Sequence, residues 1–151
     1  NSVYMVGADE GRYRKRHLVP FGEFLPLDAV LRPITRALGI PVASFHPGAA
    51  RQSPLRVGGH TFELLHTPGH TPGQVAVHIP EERAVFTGDT LFPGGPGATR
   101  WEYSSFGQIM DSIEQRIMPL PDETVVLPGH GAETTIGSER PDLARWRKRG
   151  W

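Results

Sequence analysis

Three short strings constrain this chain more than anything else in it: His66-Thr67-Pro68-Gly69-His70-Thr71-Pro72-Gly73, then Thr87-Gly88-Asp89-Thr90, then Pro128-Gly129-His130-Gly131. Each follows an apolar run and mixes Gly or Pro with a histidine or an aspartate, which is how a tight turn at the end of a strand is written. Side chains carried on such turns can converge at one edge of a sheet. His70, Asp89 and His130 are therefore the candidate metal ligands. Neutral imidazole and carboxylate are the groups a zinc or iron centre uses to hold a nucleophilic water.

The rest of the chain reads as α/β. Residues 61–65, 74–79, 84–87 and 124–127 are β-type runs separated by Pro or Gly turns. Between the third and fourth, Phe106, Ile109, Met110, Ile113 and Ile117 share one helical face, Ser105 and Gln108 are spaced as a capping box, and Pro119 ends the pattern. A second, basic helix is expected over about residues 139–149. Ahead of these, Val3 to Val6 reads as a short strand, and Leu27, Val30, Leu31, Ile34 and Leu38 have helical spacing interrupted by Pro33. Residues 41–54 have no period and read as a loop. A seam is expected at Gly58-Gly59, which divides the chain into residues 1–58 and 59–151.

Composition narrows the function classes. The 151 residues suffice for a domain with a core, and 16 Lys plus Arg balance 16 Asp plus Glu. No overall field draws the chain to nucleic acid or to an anionic membrane, so a small-molecule substrate is the expected partner. The Arg145, Arg147, Lys148 and Arg149 run reads as a solvated helix face. No apolar stretch approaches the ~18 residues of a membrane span and no basic-then-apolar leader is present, so a cytoplasmic location is expected. The sequence starts at Asn1 without a methionine and reads as a fragment. Cysteine is absent, which removes disulfides, thiolate ligands and a cysteine nucleophile.

The ordered motifs HTPGHTPG, TGDTLF and LPGHG resemble the later motifs of metallo-β-lactamase-fold hydrolases, especially the glyoxalase II-like branch, over residues 60 to 151. The resemblance implies half of an αββα sandwich. It also implies a two-metal site in which His70 binds the first metal, Asp89 bridges both, and His130 binds the second. Zinc is the expected metal, with iron or manganese as alternatives, and the expected reaction is hydrolysis of a thioester or ester of the hydroxyacylglutathione kind. The family's first motif, HxHxDH, occurs nowhere in the sequence. Each metal would keep two of its protein ligands, where a catalytic zinc normally has three. The site is thus expected to be impaired unless His17, His46, His60 or His66, or a second chain, completes it. His60 and His66 are assigned to strand and turn surfaces, and His78 to the exposed face of its strand.

Residues 13–24, YRKRHLVPFGEF, resemble a different family, the apolipoprotein N-acyltransferases of the nitrilase superfamily. That resemblance implies a nitrilase-like fragment over residues 1–58, with Lys15 at the position of the catalytic lysine and Glu23 at that of a further active-site acid. The family's nucleophile is a cysteine, and none is present. Two families joined near Gly58-Gly59 suggest a chimera, and a non-catalytic structural chimera is the alternative to an impaired hydrolase. Half a sandwich leaves one sheet face uncovered, so a homo-oligomer is also expected.

Overall fold

The computed structural model describes residues 2–5, 11–14, 32–33, 36–37 and 53–150, and the chain divides into two compact units between Ser53 and Pro54. In the first unit, β1 (Ser2–Met5) pairs antiparallel with β2 (Gly11–Arg14). The backbone is helical at Arg32, Pro33, Arg36 and Ala37. Lys15, Glu23, His17 and His46 lie outside the described residues, as do all but the last two residues of the expected loop over residues 41–54 and most of the expected helix between Leu27 and Leu38. The described residues of this unit do not amount to a nitrilase-like fold.

The second unit is built on a six-stranded mixed sheet. In chain order its strands are β3 (Leu55–Val57), β4 (His60–His66), β5 (Val75–Ile79), β6 (Ala84–Gly88), β9 (Val125–Pro128) and β10 (Thr134–Thr135). They lie side by side as β10-β9-β6-β5-β4-β3. Between β6 and β9 the chain makes a small hairpin of β7 (Leu91–Phe92) and β8 (Gly95–Pro96), then helix α1 (Phe106–Ser112). Gly58 and Gly59, both with positive φ, form the tight turn that joins β3 to β4, so residues 55–57 belong to this sheet.

Strand direction positions the site. β5 runs antiparallel to both β4 and β6, while β6 and β9 are parallel. Consequently β4, β6 and β9 all point the same way, and the three turns that follow them emerge at one edge. Loops at the carboxyl ends of parallel strands are where sheets of this kind place their sites.

Helix α1 forms as its sequence pattern predicts. Ser105 caps it by accepting a hydrogen bond from the Gln108 N–H, 3.3 Å. The reciprocal half of the capping box is replaced, because the Ser105 N–H donates to the Gly69 carbonyl at 2.8 Å. The start of the helix is thereby fastened to the first motif turn. The helix continues through one π-helical turn, Ile113–Ile117. Ile109, Met110, Ile113 and Ile117 are fully buried beside Val85, Val126, Ile136 and Trp146.

The C-terminal helix starts earlier than its basic residues indicate. Thr135 caps α2 (Ile136–Glu139) through its hydroxyl, a 3₁₀ turn with Pro141 follows, and α3 (Leu143–Arg149) completes the segment. The basic face of α3 is only partly solvated. Arg147 reaches Glu114 and Asp111 at 2.7 and 2.8 Å, which ties α3 to α1, and those bonds, Glu114 first, raise the guanidinium pKa further. Arg140 donates to the carbonyls of Met118 and Leu120, closing the C-terminal end of the π turn.

The structure corrects the placement of His78. The alternation of Val75, Val77 and Ile79 suggests that His78 faces solvent, yet it is 7% exposed and on the same face as core residues Ala76 and Val85. Its Nδ1–H donates to Glu63 Oε2 at 2.8 Å, across the β4–β5 pair. A directly opposed carboxylate satisfies the imidazole and lets it be buried. The other face carries the row Leu64, Val77, Phe86 and Leu127, and Phe86 there is 46% exposed.

Candidate functional site

His70, Asp89 and His130 follow β4, β6 and β9 and meet at the sheet edge. His70 donates Nδ1–H to the Ala98 carbonyl at 2.9 Å. That bond selects the tautomer whose Nε2 lone pair is free, the form in which histidine ligates metals. Nε2 of His70 lies 3.4 Å from Asp89 Oδ2, and Nε2 of His130 lies 4.0 Å from Asp89 Oδ1. Each imidazole therefore faces a different oxygen of one carboxylate. The groups are unequally sheltered: His70 is largely buried, Asp89 is one-third exposed, and His130 is mostly open to solvent.

The motif residues that carry no ligand atoms are the scaffold of this arrangement. Thr67 and Thr90 are fully buried, and the Thr90 hydroxyl donates to the Thr67 hydroxyl at 3.1 Å, joining the His70 turn to the Asp89 turn. Thr87 donates to the Leu91 carbonyl at 2.9 Å and so closes the Asp89 turn from the other side. Ser112 of α1 donates to the Pro68 carbonyl at 2.7 Å. Glu139, buried in α2, accepts from the Gly94 N–H and the Thr134 hydroxyl at 2.9 and 2.7 Å, which pins the tip of the β7–β8 hairpin.

Ring contacts complete the site. Trp101 meets the His70 ring edge-on at 5.2 Å, and Phe92 packs on the His130 ring at 4.7 Å. These residues line one side of a cleft of about 460 Å³ with His70, Asp89 and His130 also on its wall. Of the other histidines, His60 pairs with Glu82 at 2.6 Å and the His66 Nε2–H donates to the Pro72 carbonyl at 3.1 Å. The sequence contains no signal for the Ala98 carbonyl, Phe92 or Trp101 as partners of the histidines. Only their place in a Gly- and Pro-rich loop after the Asp89 motif points to a cleft wall.

A Cβ at Gly129 would stand 2.3 Å from Asp89 Oδ1 and 3.3 Å from the Gly88 carbonyl carbon, the second contact needing a backbone adjustment of only a few tenths of an ångström. Because the obstructed atom is the end of a side chain, Gly129→Ala is expected to turn the carboxylate away while leaving the fold intact. Urea unfolding should then stay within about 1 kcal/mol of the parent, whereas zinc affinity should fall roughly tenfold or more.

The sequence profile of the metallo-beta-lactamase superfamily matches residues 6–130. The chain belongs to that superfamily. It is 42% identical over 86 residues to the hydroxyacylglutathione hydrolase GloC of Haemophilus influenzae, a match spanning 57% of this chain and 41% of that protein. Among solved structures, the BLEG-1 B3 metallo-beta-lactamase superposes with a TM-score of 0.58 at 36% identity, covering 72% of this chain and 54% of that one. TTHA1623 in a di-iron-bound form superposes with a TM-score of 0.52 at 38% identity over the same shares. The chain thus spans about half the length of the superfamily relatives it matches. A separate, partial likeness joins it to the apolipoprotein N-acyltransferase of Methylococcus capsulatus: 53% identity over 60 residues, 40% of this chain and 12% of that protein.

The fit of a metal to this superfamily member is incomplete. A catalytic zinc normally takes three protein ligands and a water. Two cations sharing His70, Asp89 and His130 would have two protein ligands each. Among the described residues, no group of three or more His, Cys, Asp or Glu is placed to hold a metal ion. Likewise, no helix among them is long and apolar enough to cross a membrane.

Proposed function

We propose that residues 59–151 carry the later ligands of a metal-dependent thioester or ester hydrolase acting on a small molecule, and that the chain by itself is an impaired form of that enzyme. The observation that carries this reading is the shared carboxylate: His70 and His130 each turn Nε2 toward a different oxygen of Asp89. The likeness to GloC supports a thioester such as a hydroxyacylglutathione as the substrate. Zinc is the proposed metal, and the di-iron relative supports iron as an alternative. The described residues do not complete the centre.

The test is thioester hydrolysis with a hydroxyacylglutathione in the presence of added zinc. Turnover should stay far below the ~10 s⁻¹ typical of enzymes, and any excess over spontaneous hydrolysis should disappear in a His70→Ala, Asp89→Ala, His130→Ala variant. Turnover at the typical enzyme rate, or activity that survives the triple substitution, contradicts the proposal.

A second reading concerns residues 1–58. The 60-residue match to the Methylococcus acyltransferase supports an origin of part of the chain in that family, and the resemblance of residues 13–24 puts that part here, with Lys15 and Glu23 at active-site positions and the whole chain as a chimera. Acyl transfer through a thioester intermediate needs a cysteine, and the sequence has none. The segment is thus proposed as non-catalytic.

A further inference from the structure

The cleft beside Asp89 carries more positive than negative charge. Arg100 and Arg149 line it together with both histidines, and Asp89 is the one carboxylate among the lining residues. The two guanidinium groups come from different elements: Arg100 from the loop that follows β8, and Arg149 from the last turn of α3. Arg149 lies against the β7–β8 hairpin: a Cβ built at Gly95 would be 3.4 Å from Arg149 Nη2, at contact distance. Guanidinium recognises carboxylate through paired, charge-assisted N–H bonds, with a planarity that ammonium lacks.

Phe92 and Trp101 are the aromatic residues that line the same cleft, and Tyr103 stacks behind Trp101 without lining it. Trp101 lies parallel to Tyr103, with an interplanar angle of 1° and ring centroids 6.0 Å apart. The two side chains remain 45% and 57% exposed. A rigid indole at the mouth of a site offers large apolar contact area at low entropic cost. The cleft volume of about 460 Å³ falls in the range of small-molecule sites.

We infer that this cleft selects a small molecule combining a carboxylate with an aromatic body, the carboxylate held by Arg100 and Arg149 and the ring placed against Trp101. The inference rests on the cleft being the substrate site, and it names the substrate class. It requires no bound metal.

Calorimetric titration of the full chain in EDTA with phenylacetate and with its uncharged analogue phenylacetamide tests it. Phenylacetate should bind roughly tenfold more tightly. The preference should shrink in Arg100→Gln and vanish in Arg100→Gln/Arg149→Gln, while Trp101→Ala should weaken both ligands alike. Arg100 is exposed on a loop, so the single variant serves if the double variant fails to fold. Equal affinities, no binding of either ligand, or a preference unchanged in folded Arg100→Gln overturns the inference. The hydrolase reading fails separately: a carboxylate preference beside thioester hydrolysis that survives the His70→Ala, Asp89→Ala, His130→Ala substitution refutes that reading alone, and equal affinities beside hydrolysis lost in that variant refute only this inference.

Discussion

Gly69→Ala is expected to remove about 3 kcal/mol or more of stability. A Cβ at this position would lie 2.3 Å from the backbone N and Cα of Ile109 and 2.4 Å from its Cβ. No side-chain rotation relieves a collision with helix backbone, so α1 must move off the motif turn. That movement would also break the bond from the Ser105 N–H to the Gly69 carbonyl and the one from the Ser112 hydroxyl to the Pro68 carbonyl. Since φ at Gly69 is +139°, the new side chain would in addition sit in a backbone conformation that favours glycine. Gly58→Ala is the control: it too has positive φ, but nothing lies within 4 Å of the added carbon, so it should cost about 1–2 kcal/mol. Urea unfolding of the two variants beside the parent checks the contrast. Equal midpoints would mean that α1 is not seated on the turn.

Asp89→Asn is expected to lower zinc affinity by about a hundredfold or more while leaving the unfolding free energy within about 1 kcal/mol of the parent. The substitution keeps the shape and removes the charge. Both imidazoles face this carboxylate, at 3.4 and 4.0 Å, so one change withdraws the charge that the two histidines share. His130→Ala should weaken zinc less than His70→Ala, because His130 is mostly solvent-exposed, whereas His70 is sheltered and its tautomer is fixed by Ala98. Competition titration against a zinc chelator measures all three. A hundredfold loss in His130→Ala with none in Asp89→Asn would contradict the shared-carboxylate arrangement.

Much of this was legible in the chain because turns are written in local residues. Glycine, proline, histidine and aspartate mark the three motif turns, and the run from Phe106 to Ile117 carries its helical period in plain view. The convergence of His70, Asp89 and His130 follows once β4, β6 and β9 run in one direction. What the sequence conceals are pairings between residues far apart in it. His78 is buried because Glu63 lies opposite it in the next strand, and the apolar alternation of Val75, Val77 and Ile79 points to the wrong face. The ends of α2 and α3 are set by the Thr135 cap and Pro141, whereas the basic residues report only the last turn. Thr67 and Thr90 read as ordinary turn residues until their hydroxyls are found joined inside the core.

His70, Asp89 and His130 are proposed as one zinc-responsive cluster around a shared carboxylate. The most direct test is the ¹⁵N NMR response of the imidazole rings to added zinc. The Nε2 signals of His70 and His130 should shift together, both responses should be lost in Asp89→Asn, and the zinc should be removed by gel filtration. Shifts confined to His60, His66 or His78, or a tightly retained zinc that leaves His70 and His130 unmoved, would contradict it.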